Sequence, residues 1–226
     1  MSQTPQQPRP RLLVDIVSDP VCPWCYVGFK AFQLARDRIA SEFQVLPRVR
    51  AYLLNPDTPE GGVDRAAYYE KKFPDAAQRD AMRMQLQAAA LGAGFKFDPS
   101  IPKHLPNTIK AHQLIRLSHF DGAQERLVEN LYSAFWDDGV DIGDDDALFA
   151  IAQATGLDGD NAKRDLQDAK SKNTVLAEAE AFRRAGVSGV PTFIINERDG
   201  FSGALPPERM AEAFTTAAKE LHRRTH

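Results

Sequence analysis

The chain holds two cysteines, Cys22 and Cys25, with Pro23 and Trp24 between them. That pair limits what the chain can fold into more than any other feature. An apolar segment, Leu12-Leu13-Val14-Asp15-Ile16-Val17, precedes it and reads as a buried strand. Gly28 to Ala40 follows and reads as a helix with Phe29, Phe32, Ala35 and Ile39 on its apolar face. A C-x-x-C at a strand-to-helix turn is a redox arrangement. Cys22 falls near the helix N-cap, where free N–H groups and the positive dipole end favour a thiolate. Pro23 suits the first helical position, because its missing N–H costs nothing there. Cys25 lies one turn along, within reach of Cys22 for a disulfide. This placement predicts a partly exposed Cys22 and a mostly buried Cys25.

Other uses of the pair fit less well. Zinc would need two further ligands, commonly a second close pair. The five histidines (104, 112, 119, 222 and 226) supply only His222 and His226 at suitable spacing, so no metal is expected. A purely structural disulfide is also a poor reading, since closing so short a loop removes little chain entropy.

The remaining chain is that of an ordinary globule, with 43% hydrophobic and 26% charged residues. A net charge of -3 argues against a nucleic-acid or anionic membrane partner. No apolar run is long enough to span a bilayer. Met1 to Pro10 is rich in Ser, Gln and Pro and reads as a disordered tail rather than a signal peptide. A cytoplasmic location is therefore expected, where such cysteine pairs are catalytic or sensing.

Residues 11–55 and 186–226 read as one α/β unit, and 56–185 as an all-α insertion. Phe43 to Leu54 alternates as a second strand. Asp64 caps a long helix that is interrupted near Pro74 and resumes to Leu91. Asn107-Thr108 opens a helix with Ala111, Leu114, Ile115 and Ser118 on one face, and Leu127, Val128, Leu131, Tyr132 and Phe135 form another stripe. Asp144 caps a further helix, and Asp160 caps the last, which runs through Leu166, Val175 and Phe182 to Gly186. His112 reads as a hydrogen-bonded packing residue. The Asp137–Asp146 cluster does not fit an EF-hand and reads as capping and a solvated turn. Thr192 to Asn196 is a strand, Phe201 to Ala204 a fourth, and Pro206-Pro207-Glu208 opens a final helix.

Ser18-Asp19-Pro20-Val21-Cys22-Pro23-Trp24-Cys25-Tyr26, Leu54-Asn55-Pro56, Pro106-Asn107-Thr108 with Ala111-His112, Gly139 to Asp144, Gly189-Val190-Pro191-Thr192-Phe193 and Ser202-Gly203-Ala204 occur in that order. The ordered set resembles the DsbA superfamily, and its FrnE-like branch in particular, over about residues 12 to 218. The resemblance implies a thioredoxin fold with a large helical insertion and thiol–disulfide oxidoreductase activity. It implies that Cys22 is the nucleophile and Cys25 the resolving thiol. It also implies a cis Val190–Pro191 peptide beside them, whose backbone pairs with a substrate. Asn55 joins Pro23, Trp24, Val190 and Pro191 among the expected substrate-binding residues. Members often carry a buried acid six residues before the first cysteine. Asp15 is seven before Cys22, which puts its role as a proton acceptor for Cys25 in question.

The expected partners are thiol- or disulfide-containing peptides and proteins, with glutathione or thioredoxin as a redox partner and no resident cofactor. Pro-Trp between the cysteines adds no cationic side chain, so the expected couple is less oxidising than the roughly -120 mV of DsbA. The alternatives are a glutathione-dependent isomerase or transferase of the 2-hydroxychromene-2-carboxylate isomerase or kappa type, and a redox-sensing or chaperone-like binding module.

Overall fold

The computed structural model describes residues 9–225. Most of the expected tail, 1–10, lies outside that range. β1 (Arg11–Ser18) runs parallel to β2 (Gln44–Ala51), with α1 (Pro23–Ile39) as the crossover. β5 (Thr192–Ile195) pairs antiparallel with β1, and β6 (Asp199–Ser202) with β5, giving the order β2-β1-β5-β6. α9 (Pro207–Thr225) follows β6 and packs against α1.

Period-two alternation explains the sheet. Leu12, Val14 and Ile16 of β1 are buried, as are Phe193 and Ile195 opposite them. Phe32 of α1 stacks on Phe193 and meets Phe214 of α9 edge-on.

Between β2 and β5 lie α2 (Arg65–Lys72), α3 (Ala76–Gly92), α4 (Ile109–Phe120), α5 (Gln124–Trp136), α6 (Asp145–Thr155), α7 (Gly159–Gln167) and α8 (Ala169–Arg184). A two-residue ladder, β3 (Val63–Asp64) with β4 (His104–Leu105), joins the connections within this block. α4, α5 and α8 cover the outer edge of β2. Gln124 bonds both the N–H and the C=O of Val49, and Glu178 accepts from Ala51 N. Two side chains thus satisfy an edge that would otherwise invite foreign strands. The buried apolar residues of the sheet and of the helical block form one cluster.

Several boundaries differ from the sequence reading. The helix expected from Asp160 to Gly186 is two helices. Asp158 caps α7, and Asp168, extended at ψ 112°, ends α7 and caps α8 by accepting from Lys170 N. β6 starts at Asp199, because Asn196 and Glu197 at positive φ complete the hairpin turn early. The break at Pro74 falls between α2 and α3, as expected. None of the helices among the described residues is long and apolar enough to cross a membrane.

Candidate active site

Ser18 ends β1, and residues 19–21 turn the chain into α1. Cys22 N donates to Asp19 O at 2.9 Å. Trp136 Nε1 donates to Pro20 O at 3.0 Å, so α5 clamps the turn from below. Cys22 is the N-cap of α1, extended at φ -86° and ψ 115°, and makes no side-chain capping bond. Its sulfur therefore sits at the open N–H end of a 17-residue helix without being spent on it. Pro23 occupies the first turn. Cys25 N donates to Cys22 O at 3.0 Å, which stacks the second thiol one turn inward.

Both cysteines are free thiols. Cys25 is 1% exposed, as expected. Cys22 is 4% exposed, so the expected partial exposure is overturned. The cause is a distant segment. The Val190–Pro191 peptide is cis, and the Cys22 thiol donates to Val190 O at 3.6 Å. Gly28 makes this cover possible. A Cβ there would stand 2.9 Å from Pro191 Cγ and 3.6 Å from Ala204 Cβ. Pro23 and Trp24 stay half-buried beside the sulfur, as does Val190, while Pro191 is buried.

Asn55 is half-buried and faces α2: its Oδ1 accepts from the Tyr68 hydroxyl, which accepts in turn from Lys72 Nζ at 2.8 Å. Tyr69 lies near enough to Cys22 to feel its charge, and burial pushes its phenol up. The Arg65 guanidinium lies 4.6 Å from the Tyr69 ring centroid and 5.2 Å from that of Trp136. Sequence reasoning missed this wall, because α2 buries none of its residues fully.

Asp15 is buried, but it serves the sheet rather than the thiols. Arg48 Nε and Nη2 each donate to its carboxylate at 2.7 Å, and Arg50 Nη1 stands 3.7 Å away. A bidentate guanidinium occupies both carboxylate oxygens.

The acid beside the resolving thiol is Asp19, which the sequence reading took for a turn residue. It is 0% exposed. Its carboxylate accepts from Val21 N at 3.3 Å and Leu54 N at 2.7 Å, which ties the neighbour of Asn55 to the cysteine turn. Burial pushes the Asp19 carboxyl up to about 6, against those two N–H bonds. Burial, the neighbouring Cys22 thiol and the Asp19 charge together push the Cys25 thiol well above the usual thiol range. His112 is buried on α4, bonded to Tyr52 O at 3.1 Å and 3.8 Å from Asp19 Oδ1. Burial holds its imidazole down at about 4, so it is neutral.

The model of the DSBA-like thioredoxin domain matches residues 13–215. The chain belongs to that family. The family match covers both the cysteine turn and the segment that covers it. A solved structure, a probable DsbA oxidoreductase from Streptomyces coelicolor, is similar at a TM-score of 0.81 and 28% identity, over 92% of this chain and 91% of that one. An uncharacterized protein, YwbO, of Bacillus subtilis is 28% identical over 206 residues, covering 87% of this chain and 96% of its own. A 2-hydroxychromene-2-carboxylate isomerase shares the fold at a TM-score of 0.66 and 16% identity, over 94% and 97% of the two chains. Family membership places the chain among thioredoxin-fold proteins of the disulfide-oxidoreductase kind.

Proposed function

We propose that this DsbA-family chain is a thiol–disulfide oxidoreductase of the FrnE-like type, acting on thiol- or disulfide-containing peptides and proteins in the cytoplasm. The observation that carries this is the stacking of two free thiols at one helix N-terminus, the outer beside Val190 O and the inner sealed. The Cys22 thiolate attacks a substrate disulfide, one substrate thiolate leaves, and a mixed disulfide forms. Cys25 then attacks Cys22 Sγ and releases the second substrate thiol, leaving Cys22 and Cys25 oxidised. A small thiol such as glutathione, or a thioredoxin-like dithiol, reduces them again. No resident cofactor is needed.

Pro23, Trp24, Val190, Pro191 and Asn55 border the outer sulfur or the wall beside it. An extended substrate segment lying against the backbone of Val190 would bring its own disulfide to Cys22.

Reduction of insulin by dithiothreitol tests this. Cys22→Ser should abolish the catalysed rate, and Cys25→Ser should accumulate the mixed disulfide. Glutathione conjugation or isomerisation that survives Cys25→Ser, without insulin reduction by the native chain, would replace this reading with the transferase or isomerase one.

A further inference from the structure

His112 carries a lone pair that the thiol chemistry leaves unused. Its side chain is fully buried on α4, and Nε2 faces Tyr52 O at 3.1 Å. A carbonyl only accepts, so Nε2 bears the ring proton and Nδ1 is bare. Burial holds the imidazole down at about 4, so Nδ1 stays an acceptor at neutral pH. Nothing among the described residues donates to it. A buried acceptor without a donor is costly, and native interiors rarely keep one.

The same ring lines a cavity of about 230 Å³ between β2 and α4, and neither cysteine lines it. The α4 wall runs from dry to wet. His112 and Ile115 are 1% and 2% exposed, whereas Phe120, two turns further on, is 74% exposed. The floor is therefore at His112 and the mouth at Phe120. Arg116 and His119 line the cavity as well. Positions 112, 116 and 119 share one helix face, so both side chains stand between the floor and the mouth.

The polar groups of the walls are unevenly committed. Arg48 grips Asp15 at 2.7 Å and meets Glu197 at 2.9 Å. Arg50 and Glu178 pair with each other at 2.5 Å, and Glu178 also accepts from Ala51 N. Gln124 is occupied by Val49 and Ile115. Arg116 is in no ion pair among the described residues, and its guanidinium lies over the Phe120 ring at 5.9 Å. The cavity thus offers a bare acceptor at its floor and an uncommitted cation toward its mouth, with Val49, Ala51 and Ile115 beside them.

Those two ends call for opposite groups on one molecule. Nδ1 needs a donor, and Arg116 takes an anion. The helix rise sets them roughly 6 Å apart along α4, with His119 about 10 Å from the floor. Benzene fills a cavity of about 150 Å³, so this one accepts roughly nine non-hydrogen atoms. Inorganic phosphate carries its donor and its charge on one centre and is too short to reach both ends. An ammonium donor would put a charge at the dry floor beside a neutral ring, so a hydroxyl is the donor that fits.

We propose that the cavity between β2 and α4 binds a small aliphatic hydroxy acid, its hydroxyl donating to His112 Nδ1 and its carboxylate meeting Arg116 and His119. The methylenes lie against Val49, Ala51 and Ile115. The ligand supplies the donor that the fold withholds from Nδ1. No thiol takes part, so the site stands apart from the oxidoreductase reading above.

The test titrates the native chain with 4-hydroxybutyrate at neutral pH and constant ionic strength. Calorimetry should show saturable binding with a Kd on the order of 1 mM, as expected for a ligand of this size. In a nitrogen NMR spectrum of the imidazoles, the Nδ1 signal that is missing from His112→Gln should shift in step with binding. Butyrate, which lacks the hydroxyl, and butanol, which lacks the charge, should each bind about tenfold more weakly, the loss of one polar contact. Inorganic phosphate should bind no better than these. Arg116→Met should weaken 4-hydroxybutyrate about tenfold, and the double variant Cys22→Ser, Cys25→Ser should bind it as the native chain does.

Neither heat nor an Nδ1 shift would leave water as the partner of Nδ1 and overturn the proposal. Equal binding of butyrate or phosphate would reduce the cavity to a general anion trap and overturn it too. Both comparisons vary the ligand on the native chain, so they decide the matter even if a variant folds poorly. Failure of insulin reduction would sink the oxidoreductase reading and leave this site untouched.

Discussion

Asp15 and Asp19, four residues apart, leave water in opposite ways. Asp15 is 5% exposed on β1 and takes a two-pronged guanidinium from the neighbouring strand. Asp19, one residue past β1, finds two main-chain N–H groups and a neutral imidazole instead. Desolvation raises the Asp19 carboxyl to about 6. The partner therefore decides the use. The acid gripped by Arg48 ties β1 to β2. The other is free to gain and lose a proton near pH 6.

The largest break in this contrast comes from removing the cation. Arg48→Met should leave Asp15 buried with only the more distant Arg50, and cost about 3–5 kcal/mol in urea unfolding. The Asp19 carboxyl should still titrate near 6, where burial sets it. A loss under about 1 kcal/mol would show that Asp15 does not depend on its pair.

The next effect is on stability against pH. Asp19 is raised from 3.8 to about 6. Its contribution is present below 3.8 and lost as pH rises through about 6. His112 is lowered from 6.5 to about 4, so its contribution is present above 6.5 and lost as pH falls through about 4. The two oppose each other over the same window. Relative to the native chain, His112→Gln should gain stability as pH falls from 6 to 4, and Asp19→Asn should lose it. Each change is on the order of 3 kcal/mol. Thermal unfolding across that window checks both, and slopes of the same sign in the two variants would contradict the assignment.

The smallest effect sharpens the contrast. Arg183 is the cation whose field lowers Asp19 from a distance. Arg183→Met should move the Asp19 carboxyl upward by less than about one unit in an NMR titration. A downward shift would mean that another group titrates there.

The fold was legible where the signal is local. Alternation in β1, Pro23 after Cys22, and the caps at Asp64 and Asp144 each state their structure within a few residues. The split at Asp168 was not, because 158–170 offers several aspartates and nothing but tertiary packing selects two of them as caps. β3 and β4 are two residues each and carry no period. The pair and its cover could be named from their motif and its resemblance, but exposure of Cys22 depends on a residue 168 positions away. Asp19 reads as an ordinary Ser-Asp-Pro turn. Only the approach of Leu54, Tyr52 and His112 from other elements makes it a buried acid.

The contact between Gly28 and Pro191 also bears on the order in which the molecule is made. The cysteine pair leaves the ribosome early, and Val190, 168 positions later, follows only after roughly 10–30 s of synthesis. During that interval the thiols have their turn but no roof. A nascent chain stalled before Val190 is thus an uncovered dithiol, open to any neighbouring nascent cysteine until the segment that roofs it is made.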